Sequence, residues 1–149
     1  MSRLKLIVIL FFVLIFSGCS IKDTNAKLVP NSELKSKNIF YVVLLESDKR
    51  NIAKMIADTL VEKGYSASSG TLENLPKDSD VVVTYEDRWM WDLTNYLIQF
   101  DMQFRNAKNF YPYVAGETIR TSVVRKSPKE MAEETITTML NKLEKEKND

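Results

Sequence analysis

The chain reads as an α+β protein, a two-layer sandwich in which a mixed sheet of four to five strands carries two helices on one face. Three observations predict this. The unbroken β-branched and aromatic run Ile39-Phe40-Tyr41-Val42-Val43-Leu44-Leu45 is followed directly by an amphipathic helical pattern. A clean two-residue alternation over Tyr96 to Arg105 marks a half-buried strand. A serine and proline pair at Ser127-Pro128 opens a C-terminal helix.

Taken in order, the Ile39 to Leu45 run fits a strand covered on both faces, and therefore one placed inside the sheet. Ser47 offers a helix N-cap with Asp48 in the first turn, and Ile52, Met55, Ile56, Thr59 and Leu60 recur at three and four up to Gly64, predicting about four helical turns. Tyr65 to Ser69 is a short, weak strand pattern. Gly70 to Ser79, with Pro76, is a loop, and Asp80 to Tyr85 is the next strand. Strand, helix and returning strand predict a right-handed crossover.

Tyr96, Ile98, Phe100, Met102 and Phe104 then share one face of a strand, with Gln99, Asp101, Gln103 and Arg105 on the other. Asn106 to Asn109 supply a turn, and Val114 to Val124 returns antiparallel, with Pro112 holding its first part at an edge or outside the ladder. Ser127, Pro128 and Glu130 form a capping box. Behind it, Ala132, Ile136, Met139, Leu140 and Leu143 make the apolar stripe, with glutamates early and lysines late along the helix dipole. There is no internal repeat.

The N-terminal residues are of a different kind. Arg3 and Lys5 precede an apolar run from Leu6 to Phe16, and the small residues Ser17 and Gly18 lead to Cys19, the one cysteine of the chain. A membrane-spanning helix needs roughly 20 apolar residues, so this run reads as a removable secretory signal. Phe16-Ser17-Gly18-Cys19 resembles the lipobox of bacterial lipoprotein precursors, with Phe16 at the aliphatic position. The resemblance implies cleavage before Cys19, a diacylglyceryl thioether on its sulfur, and acylation, as with palmitate, of the new amino group. Ser20, rather than aspartate, follows the cysteine. In bacteria with two membranes this resembles lipoproteins passed to the outer membrane and facing the periplasm; in a cell with one membrane the anchor leaves the domain outside it. The expected organisation is a signal peptide over 1–18, a lipidated N-terminus and flexible polar tether over 19–38, and a single α/β domain over 39–149. A tether of that length reaches at most about 60 Å.

Removing residues 1–18 leaves 131 of the 149, with 19 basic and 20 acidic side chains. A balanced charge without a basic stripe lacks the footprint of nucleic-acid binding. No histidine is present, and no cysteine beyond Cys19. That removes cysteine and histidine nucleophile pairs and their zinc sites, and no cofactor or metal is expected. Neither a G-x-x-x-x-G-K-[ST] nor a G-x-G-x-x-G pattern occurs, so no nucleotide is implied. Ser68-Ser69-Gly70 is not a nucleophile elbow.

Nine of the 12 aromatic residues after Cys19 lie between Tyr85 and Tyr113. Phe100 and Phe104 face inward on their strand. Arg88, Trp89, Trp91, Phe110, Tyr111 and Tyr113 fall near strand ends and turns, where they form a candidate interaction surface; alternatively, Trp89 and Trp91 share one face of an extended strand and cover the otherwise open side of the sheet. Glu86, Asp87 and Asp92 raise a third reading, a carboxylate pair of the glycosidase kind. Size, anchor and element order resemble small periplasmic α/β lipoproteins of the outer membrane and domains of envelope assembly machines, among them lipoprotein activators of cell-wall synthases. The expectation is a non-catalytic envelope lipoprotein, bound to the membrane through its N-terminal lipid and to a protein partner of the envelope. The alternatives are a cell-wall glycan-binding module and, behind it, a carboxylate enzyme.

Overall fold

The computed structural model describes residues 21–30 and 38–148. Ten β-branched or aromatic residues in two short runs set the centre of the sheet. β2 (Ile39–Val43) and the start of β4 (Val81–Asp92) pair in parallel, Phe40 against Val81 and Val42 against Val83. Both are buried from either side: Phe40, Val42, Val81 and Val83 face the helices, while Val82 and Tyr41 are covered on the far face. Tyr41 is fixed there by donating its hydroxyl proton to the Thr71 carbonyl at 2.9 Å.

The architecture is α+β, a mixed sheet with two helices. The sheet has six strands rather than the four to five expected, in the spatial order β1 (Lys22–Leu28), β6 (Pro112–Arg120), β5 (Thr94–Asn106), β4, β2 and β3 (Ser66–Gly70). β3 runs parallel to β2 at one edge, while β5, β6 and β1 add antiparallel strands on the other side. β1 is the extra strand, and it overturns the tether reading for these residues. Thr24, Ala26 and Leu28 turn inward against Thr118, Gly116 and Val114, and Asp23, Asn25 and Lys27 turn outward. An edge strand with so small an apolar face shows no legible period, and its lysines suit an edge by discouraging further pairing. The rest of the expected tether, residues 31–37, lies outside the described residues.

Helix α1 (Ile52–Glu62) lies over β2 and β3 and buries Ile52, Ala53, Ile56 and Leu60 in the core. It has 11 residues, about three turns, and Ser47 is not its cap. Asp48 takes that role from outside the helix, accepting N–H bonds from Arg50, Ile52 and Ala53, so the chain reaches Asn51 in a left-handed turn (φ 57°) before the helix begins. At the other end Gly64, at φ 90°, makes the expected left-handed exit.

Helix α2 (Pro128–Asn148) starts on the predicted capping box: Ser127 N–H and hydroxyl both donate to Glu130, and Glu130 N–H returns a bond to Ser127 Oγ. Met131, Ile136 and Met139 lie over β6. The close approach depends on Gly116, where a Cβ would come within 2.6 Å of Met139 Cγ.

The β5 alternation holds from Phe100 to Phe104 and breaks before it. Arg88 pairs with Gln99 but Trp89 with Leu97, leaving Ile98 as the extra residue of a β-bulge. The faces therefore swap: Leu97, not Ile98, joins the core. β6 begins at Pro112, opposite Arg105, where a missing N–H is tolerated at the first residue of a strand.

Candidate functional site

The β4–β5 hairpin and the β5–β6 turn lie at opposite ends of the 13-residue strand β5, about 40 Å apart at 3.4 Å per residue. This separates the six residues the sequence groups together. Arg88, Trp89 and Trp91 are at the hairpin end, and Phe110, Tyr111 and Tyr113 at the turn. The single aromatic surface expected from their nearness in sequence is two.

Within each group the burial differs. Trp89 is half-buried and packs on the core, its indole N–H donating to Asp87 Oδ2 at 2.5 Å and its ring lying under the Arg50 guanidinium at 4.1 Å. Trp91 is 71% exposed and Arg88 is exposed. At the turn, Tyr113 packs on the core and accepts a bond from Asn106 Nδ2 at 2.7 Å. Phe110 and Tyr111 are exposed. Phe110 sits at φ 58° in a turn closed by Asn106, whose carbonyl accepts the Phe110 N–H and whose side chain accepts that of Lys108.

Truncating the two tryptophans should therefore give unequal results. Denaturant unfolding of Trp89→Ala is expected to lose about 2 to 4 kcal/mol, and Trp91→Ala to stay within about 1 kcal/mol. Equal losses would mean that the Trp91 ring packs as Trp89 does.

The hairpin tip is tight, with exposed Leu93 at its apex between Asp92 and Thr94. Asp92 pairs with Thr94, so Leu93 alone makes the turn, at φ 61° and 87% exposed. A leucine in the left-handed region is strained by roughly 1 to 2 kcal/mol, and something must hold it. Arg125 does so. Its guanidinium donates to Thr94 Oγ1 at 2.9 Å and to the Asp92 carboxylate at 2.9 Å, covers the Tyr96 ring at 4.2 Å, and bonds back to the Ser122 carbonyl at 3.0 Å. The segment after β6 is thereby fastened to the tip.

The three carboxylates of the enzyme reading do not meet. Asp87 serves Trp89, Asp92 serves Arg125, and only Glu86 faces other acids. On the open face of the sheet Glu86 is opposite Asp101, and Asp101 is opposite Glu117, with Asn25 beyond it. Gln99 Nε2 bridges Asp101 and Glu117 with two 2.9 Å bonds. Burial pushes the Asp101 pKa up, and the neighbouring Glu117 and Glu86 charges add to this. Sequence reasoning did not single out Asp101 or Glu117; only strand register joins them. Among the described residues no group of histidine, cysteine, aspartate or glutamate is arranged to hold a metal ion.

Beside β1, an open groove of about 510 Å³ is lined by Lys22, Lys63, Arg120, Glu133, Glu134 and Thr137, among others. Its charges are largely engaged with one another: Glu134 takes both Arg120 and Lys126, and Lys63 donates to Thr137. Among the described residues no helix is long and apolar enough to cross a membrane.

No protein-family model and no curated protein sequence matches the chain. Among solved structures it is similar to the PelC dodecamer from Paraburkholderia phytofirmans in space group P6, with a TM-score of 0.58 at 15% identity over 83% of this chain and 97% of that one. A point variant of the PelC dodecamer in space group C2 aligns with the same TM-score at 14% identity, over 83% and 98% of the two chains. TolB from Acinetobacter baumannii aligns at 13% identity and a TM-score of 0.44, over 80% of this chain and 32% of TolB. At these identities the likeness to PelC is one of fold, and it extends over nearly the whole PelC chain.

Proposed function

We propose that this chain is a non-catalytic lipoprotein of the bacterial cell envelope, anchored through lipid on Cys19 and acting through protein contacts as an assembly factor. The observation that carries the reading is Ser17-Gly18-Cys19 standing immediately before the first strand of the folded domain. Ser20 after the cysteine favours the outer membrane, with the domain in the periplasm. The fold shared with PelC, which is a dodecamer, supports a role in a multi-copy assembly. The glycan-binding alternative has less to stand on, since exposed Trp91 and Tyr111 are too far apart to form one sugar platform.

Cells fed radiolabelled palmitate should label the wild-type protein, and Cys19→Ala should abolish the label and accumulate unprocessed precursor. Label persisting in the variant would defeat the lipoprotein reading. Density fractionation of the labelled cells checks the membrane: recovery mainly at inner-membrane density would overturn the outer-membrane assignment.

A further inference from the structure

β1 changes what an anchor at Cys19 does. Ile21 is already tied to the sheet, its N–H donating to Thr121 Oγ1 at 3.2 Å and its carbonyl accepting the Thr121 N–H at 3.2 Å. Only Ser20 separates it from Cys19. Two residues reach no more than about 7 Å. An anchored domain is therefore held against the bilayer by one defined end of its sheet, without the freedom of a long tether.

That end is the one bearing the hairpin. β6 last pairs with β5 at Ile119 and Gln99, and Ile21 stands opposite Thr121, two residues further along the chain and just past the end of β6. β5 and β4 continue past this level to Leu93, an overhang of roughly 10 to 15 Å beyond Ile21. The overhang exceeds the reach of the anchor. Unless the whole domain lies on its side, the hairpin tip meets the lipid before the body of the protein does.

Its composition suits that position. Ten large apolar side chains are exposed among the described residues, and five of them, Ile21, Met90, Trp91, Leu93 and Val123, belong to this end. Thr121 bonds to Ile21, and Arg125 ties the Val123 segment to Asp92 and Thr94, so the strand end, this segment and the hairpin tip are linked by hydrogen bonds. An exposed tryptophan with leucine, isoleucine and valine at the same end, beside the Asp92–Arg125 ion pair, is an amphipathic composition that settles at the boundary of headgroups and acyl chains.

We infer that the β4–β5 hairpin tip, with Trp91 and Leu93 foremost and Ile21 and Val123 beside it, is a membrane-docking edge that enters the bilayer interface. The inference rests on the lipoprotein reading for its geometry, but its readout is separate. The chain has two tryptophans, so Trp89→Phe leaves Trp91 as the sole indole and Trp91→Phe leaves Trp89.

The mature protein, purified from membranes, is reconstituted in vesicles of phosphatidylethanolamine and phosphatidylglycerol whose acyl chains carry bromine near the headgroup. Trp91 emission is expected to shift to the blue and to fall about twofold or more relative to unbrominated vesicles, while Trp89 emission stays nearly constant. Leu93→Asp in the Trp89→Phe background should reverse most of the quenching. Unquenched Trp91 overturns the docking edge and leaves the tip as a surface for protein. The palmitate label on the same preparation reports the anchor independently: labelled protein with an unquenched tip sinks only this inference, and unlabelled protein with a quenched tip sinks only the lipidation.

Discussion

Arg120→Ala is expected to lose about 3 to 5 kcal/mol of folding stability, because it removes a buried cation around which three elements are arranged. Arg120 is 2% exposed. Its guanidinium donates to the Asp23 carbonyl at 2.9 Å, the Ile119 carbonyl at 2.8 Å and Thr24 Oγ1 at 3.1 Å, and it pairs with the Glu134 carboxylate. Two of these partners belong to β1 and one to α2. β1 contributes few apolar side chains of its own, so this arginine is a principal fastening of the strand to the body.

The loss should be local before it is global. Amide exchange over Lys22–Leu28 should quicken in the variant well below the unfolding midpoint, returning to these residues the flexibility the sequence led one to expect. Arg120→Lys keeps the charge but not the planar fork, and should recover only part of the loss. An alanine variant with β1 protection unchanged would show that Ala26 and Leu28 hold the strand without it.

Asp48→Ala carries the second large effect, about 2 to 4 kcal/mol. One carboxylate here satisfies the N–H groups of Arg50, Ile52 and Ala53 at 2.9 to 3.0 Å and accepts the Tyr85 hydroxyl at 2.9 Å. Removing it uncaps α1 and strips a buried phenol of its partner. Burial pushes the Tyr85 pKa up, and the bond to Asp48 and its charge push the same way, so the phenol keeps its proton and acts as donor throughout the neutral range.

The same bonds make the effect depend on pH. Partial burial raises the Asp48 pKa, but the bonds from Ala53, Ile52, Tyr85 and Arg50 outweigh it and hold the net value below that of an ordinary aspartate. With the folded pKa depressed, the unfolded chain binds more protons in the window between the two values. The stability it confers is full above about pH 4 and is lost as pH falls through the folded value. Asp101 acts oppositely: its pKa is raised in the folded state, so protonation as pH falls through that value favours the fold. Urea midpoints measured from pH 6 down to pH 2 should therefore fall less steeply for Asp48→Ala than for wild type. Parallel curves would mean that other carboxylates govern acid unfolding.

Elements with a strong local signature are legible from the residues alone. Of the Ile39 to Leu45 run, Ile39–Val43 forms the internal strand, because its β-branched and aromatic side chains favour burial on both faces, while the strand ends before Leu44 and Leu45. The capping box at Ser127 and Glu130 forms within four residues, and Phe100, Met102 and Phe104 take the core side because a pleated strand leaves them no other face. The lipobox resemblance of Cys19 is likewise local, because a signal is read as a linear stretch.

Features that depend on a partner distant in the chain emerge only in the folded protein. Lys22–Leu28 is a strand because β6 offers it an edge and Arg120 a clasp 97 residues from Asp23, and nothing within KDTNAKL requires that conformation. The bulge at Ile98 exchanged the faces of β5 below Phe100, since one inserted residue inverts every side chain beyond it. Asp48, not Ser47, takes the first N–H groups of α1, and the fold adds the Tyr85 hydroxyl, 37 residues away, to the same carboxylate. The candidate surface divided for the same reason: residues twenty apart along an antiparallel hairpin and turn can stand at opposite ends of one strand. Lys22 to Leu28, expected within a tether, stand beside the hairpin end of the sheet only because β1 pairs with β6, and pairing between remote strands carries no local mark in the sequence.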